Sequence, residues 1–141
     1  IGSADEVLVK VKGQRTVKGK VLRRGSKTGV VLIQILANNK FPTLELAQKT
    51  PLKNDSLFSV MPGKKWEYKK GTYEDEVAVF GNFYHTAKLT PGKSTDGTPV
   101  LNEKGEVIGI LDSKMAGNSK QKLEFIIPIK DALDDLNLKL E

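Results

Sequence analysis

Thr90-Pro91-Gly92-Lys93-Ser94-Thr95-Asp96-Gly97-Thr98-Pro99-Val100-Leu101-Asn102-Glu103-Lys104-Gly105-Glu106-Val107-Ile108-Gly109-Ile110 is the stretch that decides the fold. It opens on a run of Pro, Gly and small polar residues, the composition of a tight loop. Residues 98–101 and 106–111 are then two short apolar runs either side of Glu103-Lys104-Gly105. Two such runs around a Gly-containing turn predict a hairpin of strands.

Upstream the same period-two signal recurs. Val7, Val9 and Val11 alternate with Leu8, Lys10 and Lys12, Gly13-Gln14 breaks the run, and residues 16–24 resume it with Val17 and Val21 on one face. This predicts a further hairpin. Gly25-Ser26-Lys27-Thr28 is a turn cluster. Residues 29–36 are almost continuously apolar, which predicts a strand buried on both faces. Residues 37–54, with Asn38-Asn39, Pro42 and Pro51, read as loop. Short strands are expected over 57–60, 65–70, 76–81, 83–89 and 123–127. After Pro128, the apolar residues Ile129, Ala132, Leu133 and Leu136 return at three- and four-residue steps, one face of a short helix, with Lys139 near its negative pole. Many short strands with one terminal helix predict an all-β barrel or sandwich.

Composition excludes several chemistries. A chain of 141 residues is one domain by length. It has no Cys, hence no disulfide or thiolate, and one His (His85) argues against an all-His metal site. No apolar run is long enough to span a membrane, and Ile1-Gly2-Ser3-Ala4-Asp5 is no signal peptide. The net charge of +6 raises a nucleic-acid reading centred on Lys64-Lys65-Trp66-Glu67-Tyr68-Lys69-Lys70, where Trp66 and Tyr68 would stack bases. The simpler account of that run is a solvated hairpin with alternating faces. Asp96, Glu106 and Asp112 read as solvated acids among 17.

The opening stretch resembles the nucleophile segment of trypsin-like serine proteases of the HtrA/Deg kind, in which Pro-Gly-x-Ser-Gly-Gly-Pro is followed by a strand, a turn and Gly-Glu-Val-Ile-Gly-Ile. The resemblance extends to Leu52-Lys53-Asn54-Asp55-Ser56-Leu57-Phe58, similar to a Leu-x-x-Gly-Asp turn, and to Thr86-Ala87 before the loop. It also takes in Phe125-Ile126-Ile127-Pro128-Ile129, similar to Phe-Ala-Ile-Pro and the closing helix. It implies a chymotrypsin-like double β-barrel: part of the N-terminal barrel over residues 1–50, the C-terminal barrel over 51–128 and a short C-terminal helix over 129–141. The family's triad His, with two strands, would precede the segment matching Ile1. His85 falls in the other barrel's region and is expected to be structural or at the surface.

The resemblance also exposes departures. Peptide cleavage in this family needs a hydroxyl beside an imidazole, a carboxylate that orients the imidazole, and two backbone N–H groups aimed at the oxyanion. Gly29 stands where the family's Asp is expected. The oxyanion loop, Gly92, Lys93, Ser94, Thr95, Asp96 and Gly97, is two residues longer than the family's. Counting forward from Pro91-Gly92 puts Ser94 at the nucleophile; counting back from Gly97-Thr98-Pro99 puts Asp96 there, a carboxylate that would repel the oxyanion. We take the second register, with Gly29, Ser94 and Asp96 as a vestigial site.

The expected function is a catalytically degenerate pseudoprotease that binds an extended peptide or protein along Leu111, Asp112, Ser113 and Lys114 by β-augmentation. The alternatives are an active serine endopeptidase with Ser94 as nucleophile and a basic nucleic-acid-binding barrel. No cofactor and no metal are expected, and the resemblance implies an extracytoplasmic home.

Overall fold

The structure is a computed structural model that describes residues 4–35, 40–61, 67–90, 96–112 and 123–139. The chain divides into two compact units: one takes in the chain up to Thr43 together with Leu133 onward, the other Leu44–Ala132.

The first unit holds an antiparallel sheet in the order β1 (Glu6–Val9), β2 (Val17–Arg24), β3 (Val31–Ile35). Val7 faces Gly19 and Val21 faces Ile33, so the predicted apolar positions share one side, and Leu8 on the other is 75% exposed. The expectation that residues 29–36 form a strand buried on both faces is not met. β3 begins at Val31, its apolar residues are only half-buried, and Gln34 is exposed. A continuous apolar run here marks the edge of a three-stranded sheet, where side chains are partly wet, not a two-sided core strand.

The second unit is a closed six-stranded barrel in the order β4-β5-β6-β9-β8-β7, with β7 returning to β4 through Phe58–Leu101 and Ser59–Val100. The strands are β4 (Ser56–Met61), β5 (Glu67–Val79), β6 (Asn82–Thr90), β7 (Pro99–Leu101), β8 (Val107–Leu111) and β9 (Glu124–Pro128). Period-two alternation turns Leu57, Tyr73, Ala87, Leu89, Val100, Leu111 and Ile126 into the interior, all of them buried. A large aliphatic side chain taken fully out of water contributes about 1.5–3 kcal/mol, so this interior is the main source of the barrel's stability. The segment before β4 lies along β8: Val107 donates to Glu45 O (2.8 Å) and accepts from Ala47 N–H (2.9 Å).

Two expected strands, 65–70 and 76–81, are one. β5 runs through the intervening Gly71-Thr72-Tyr73-Glu74-Asp75 with a bulge between Tyr73 and Asp75. Gly71 looks like a strand breaker in the sequence, but a Cβ there would lie 1.6 Å from the carbonyl oxygen of Lys88. The glycine is what lets β6 approach this closely.

The helix α1 spans Ile129–Asp135 directly after β9. Ala132 and Leu136 of its predicted apolar face are buried. Asn137, in the left-handed region at φ 55°, ends it. The negative pole is met from elsewhere than expected: Lys139 lies beyond the last turn, and Arg23 Nη1 donates to the carbonyls of Leu136 (3.0 Å) and Asn137 (2.8 Å).

Candidate functional site

The exit of the opening loop is fixed by backbone pairing. Gly97 N–H donates to Leu111 O (3.0 Å) and Leu111 N–H donates to Thr98 O (2.9 Å), extending the β7–β8 ladder past Pro99. Gly97 has a φ of 82°, Thr98 is buried and Asp96 is exposed. Gly97-Thr98-Pro99 is therefore tied to β8 as a unit, with Asp96 immediately before it. Gly92, Lys93, Ser94 and Thr95 lie outside the described residues.

Gly29 sits in the turn between β2 and β3 with a φ of 76°, and its N–H donates to Gly25 O (3.0 Å). It offers no side chain to orient an imidazole. The carboxylate in this turn comes from another residue, one that sequence reasoning did not find. Asp135 at the end of α1 accepts from Thr28 N–H (2.8 Å), Thr28 Oγ1 (2.8 Å) and Lys27 N–H (3.1 Å). Burial alone would raise its pKa; the hydrogen bonds from Thr28 and Lys27 and the Lys27 charge outweigh that and hold it below the usual value.

Leu111 is 2% exposed and its N–H is taken by Thr98. Asp112 N–H donates to Phe125 O (2.9 Å). Both donors of the described part of the expected peptide edge are thus used inside the barrel. Ser113 and Lys114 lie outside the described residues. The Asp112 charge also acts on Tyr84, whose phenol is pushed up, first by burial and then by that carboxylate.

Other quoted segments take forms that suit the resemblance. Asn54 stands where the family has Gly, and adopts a φ of 71°, a region Asn tolerates better than most residues. Asp55 Oδ2 closes the turn by accepting from Leu52 N–H (2.8 Å). Thr86 Oγ1 donates to Asp75 O (2.9 Å) at the β5 bulge. Glu106 is held by Asn102, whose Nδ2 donates to Glu106 Oε1 (2.9 Å). Among the described residues no three His, Cys, Asp or Glu side chains cluster as a metal site.

The basic run is not simply a solvated face. Lys69 is 1% exposed, turned into the barrel by the β5 alternation, and its Nζ lies 3.5 Å from Glu124 Oε1. Tyr68 and Lys70 are exposed, and Trp66 lies outside the described residues. His85 is buried too: it is 6% exposed, with Nδ1 2.9 Å from the Tyr73 hydroxyl and the two rings edge to face.

Comparison with known proteins agrees with this architecture. Residues 2–110 match the model of the trypsin-like peptidase domain. The chain belongs to that family. Relatives include probable periplasmic serine endoproteases, DegP-like, from Halomonas elongata (30% identical, covering 95% of this chain and 30% of the relative) and from Pseudomonas putida F1 (26%, covering 97% and 30%). A third, from Pseudomonas savastanoi pv. phaseolicola, is 28% identical over the same shares of 97% and 30%. The chain spans about 30% of the length of these relatives. Among solved structures, the crystal structure of the Rv3671c protease in its inactive form superposes with a TM-score of 0.76 at 13% identity, covering 96% of this chain and 74% of that one. At that identity the likeness concerns the fold.

Proposed function

We propose that this trypsin-like domain no longer cleaves peptides and serves as a peptide- or protein-binding module. The observation that carries the reading is Gly29: at the position that the resemblance assigns to the family's orienting Asp stands a left-handed glycine without a side chain. A serine-protease triad without that carboxylate loses about four orders of magnitude in rate. The β7–β8 pairing of Gly97 and Thr98 supports the register that puts Asp96 at the nucleophile position. An ionised carboxylate there would oppose the developing oxyanion. Binding would fall to Ser113 and Lys114, since the N–H groups of Leu111 and Asp112 are already engaged.

Incubation with a fluorophosphonate probe is expected to leave the domain unlabelled, while an immobilised array of extended peptides retains it. Labelling that disappears in Ser94→Ala would overturn the reading and establish a serine endopeptidase. An intact domain that binds no peptide on the array would remove the binding half of the proposal.

A further inference from the structure

A cavity of about 260 Å³ lies in the barrel unit, and among the described residues neither Asp96 nor Gly97 lines it. Its walls are residues 47–51, β5, β6, β8 and the junction of β9 with α1. His85 reaches it from β6. With Nδ1 turned to Tyr73, the ring presents its opposite edge and Nε2 to the cavity. The hydrogen bond of this ring within the barrel is the one at Nδ1, and the residue is 6% exposed.

Two carboxylates flank the ring. Glu76 is the cross-strand neighbour of His85 and lines the same cavity, and Asp131 comes from the first turn of α1. These are the two charges felt at the ring, against burial, which dominates and pulls the imidazole pKa down. Lys49 and Lys130 also line the cavity, and both are exposed. From β5, Tyr73 is the remaining titratable neighbour. Burial, then Glu76 and Asp75, push it to about 12, so it is a neutral phenol. Ile108 from β8 and Ile126 from β9 bring no charge.

We infer that this cavity binds a primary ammonium group, carried by a free alkylamine or by the lysine of a peptide, between His85, Glu76 and Asp131. An ammonium has three hydrogens to donate. Nε2 of the neutral imidazole accepts one when Nδ1–H donates to the Tyr73 oxygen, and the two carboxylates supply the negative field. Gln48 and Thr50 line the same cavity. An imidazolium would repel this ligand, so binding weakens on acidification.

The single histidine makes the test direct. The full chain, labelled with ¹⁵N in histidine, is titrated at neutral pH with n-butylamine, with Nα-acetyl-lysine amide, and with n-butanol as the neutral control. Ligands this small bind in about the millimolar range. The ammonium probes are expected to move the Nε2 resonance saturably and n-butanol about tenfold more weakly, the equivalent of roughly 1.4 kcal/mol. The tighter of the two ammonium probes identifies the source. Glu76→Gln and Asp131→Asn should each weaken binding several-fold with the remaining amide spectrum unchanged. His85→Gln, followed through the ligand signals, should remove the pH dependence. Equal responses to butylamine and butanol, no saturable shift, or unaltered binding in both carboxylate variants would overturn the assignment.

Discussion

Asp135 shows how much a single carboxylate arranges. Its oxygens collect the amides of Lys27 and Thr28 and the Thr28 hydroxyl, fixing the β2–β3 turn to the end of α1. Asp135→Asn replaces an acceptor-only group by one that also presents an NH₂ to those donors. It is expected to destabilise the chain by about 1–2 kcal/mol in urea denaturation. His85 sets a second residue-level expectation. Its pKa is lowered by burial from the ordinary 6.5. The unfolded chain therefore binds the proton more readily, and stability rises with pH between the folded and unfolded values. The contribution is complete above 6.5 and drains away as pH falls through the depressed folded value. Denaturation midpoints measured from neutral to mildly acid pH should fall in the wild type and flatten in His85→Gln. Neither role was legible in the sequence. Asp135 meets Thr28 across 107 positions. The burial of His85 depends on which face of β6 turns inward, and a lone polar residue in an apolar run does not declare that.

At the scale of elements, the turn between β5 and β6 breaks a local rule. Phe80 and Gly81 form a two-residue connection with both φ values positive, 50° and 82°. That is the arrangement Asn-Gly favours, and an aromatic residue there is strained. Phe80 is 97% exposed and packs against little. Phe80→Asn is expected to raise stability by about 1 kcal/mol, seen as a higher melting temperature. The Lys69–Glu124 pair joining β5 and β9 behaves in the opposite way. Glu124 Oε2 is buried with no partner among the described residues, so this carboxylate is already short of a hydrogen bond. Lys69→Met alone strands the carboxylate and is expected to cost about 3–5 kcal/mol. Adding Glu124→Leu should recover much of that loss; additive losses in the double-mutant cycle would show that the two charges are not coupled. The sequence displays Lys69 within a basic cluster, and only the barrel's alternation separates it from its exposed neighbours Tyr68 and Lys70.

For the whole molecule, the opening stretch carried the fold well because Val100 and Val107 to Leu111 are interior or ladder residues whose type is dictated by packing. The segment around Gly71 carried it poorly, since a glycine demanded by close approach and one that ends a strand look alike. That Gly29 carries no side chain is plain in the sequence; that its turn is held by Asp135 is not. Strand order has a further consequence, for the course of synthesis. β9 is made after β8, yet it lies between β6 and β8, pairing His85 with Ile126 and Ile110 with Ile127. A nascent chain that has extruded eight strands therefore holds two unpaired ladder edges and a gap at the centre of its wall. Such edges recruit foreign strands, and contacts this distant along the chain form slowly. The interval between the emergence of Leu111 and that of Glu124 is thus the period in which this domain is most exposed to aggregation, and a chaperone that shields β6 and β8 would act to greatest effect then.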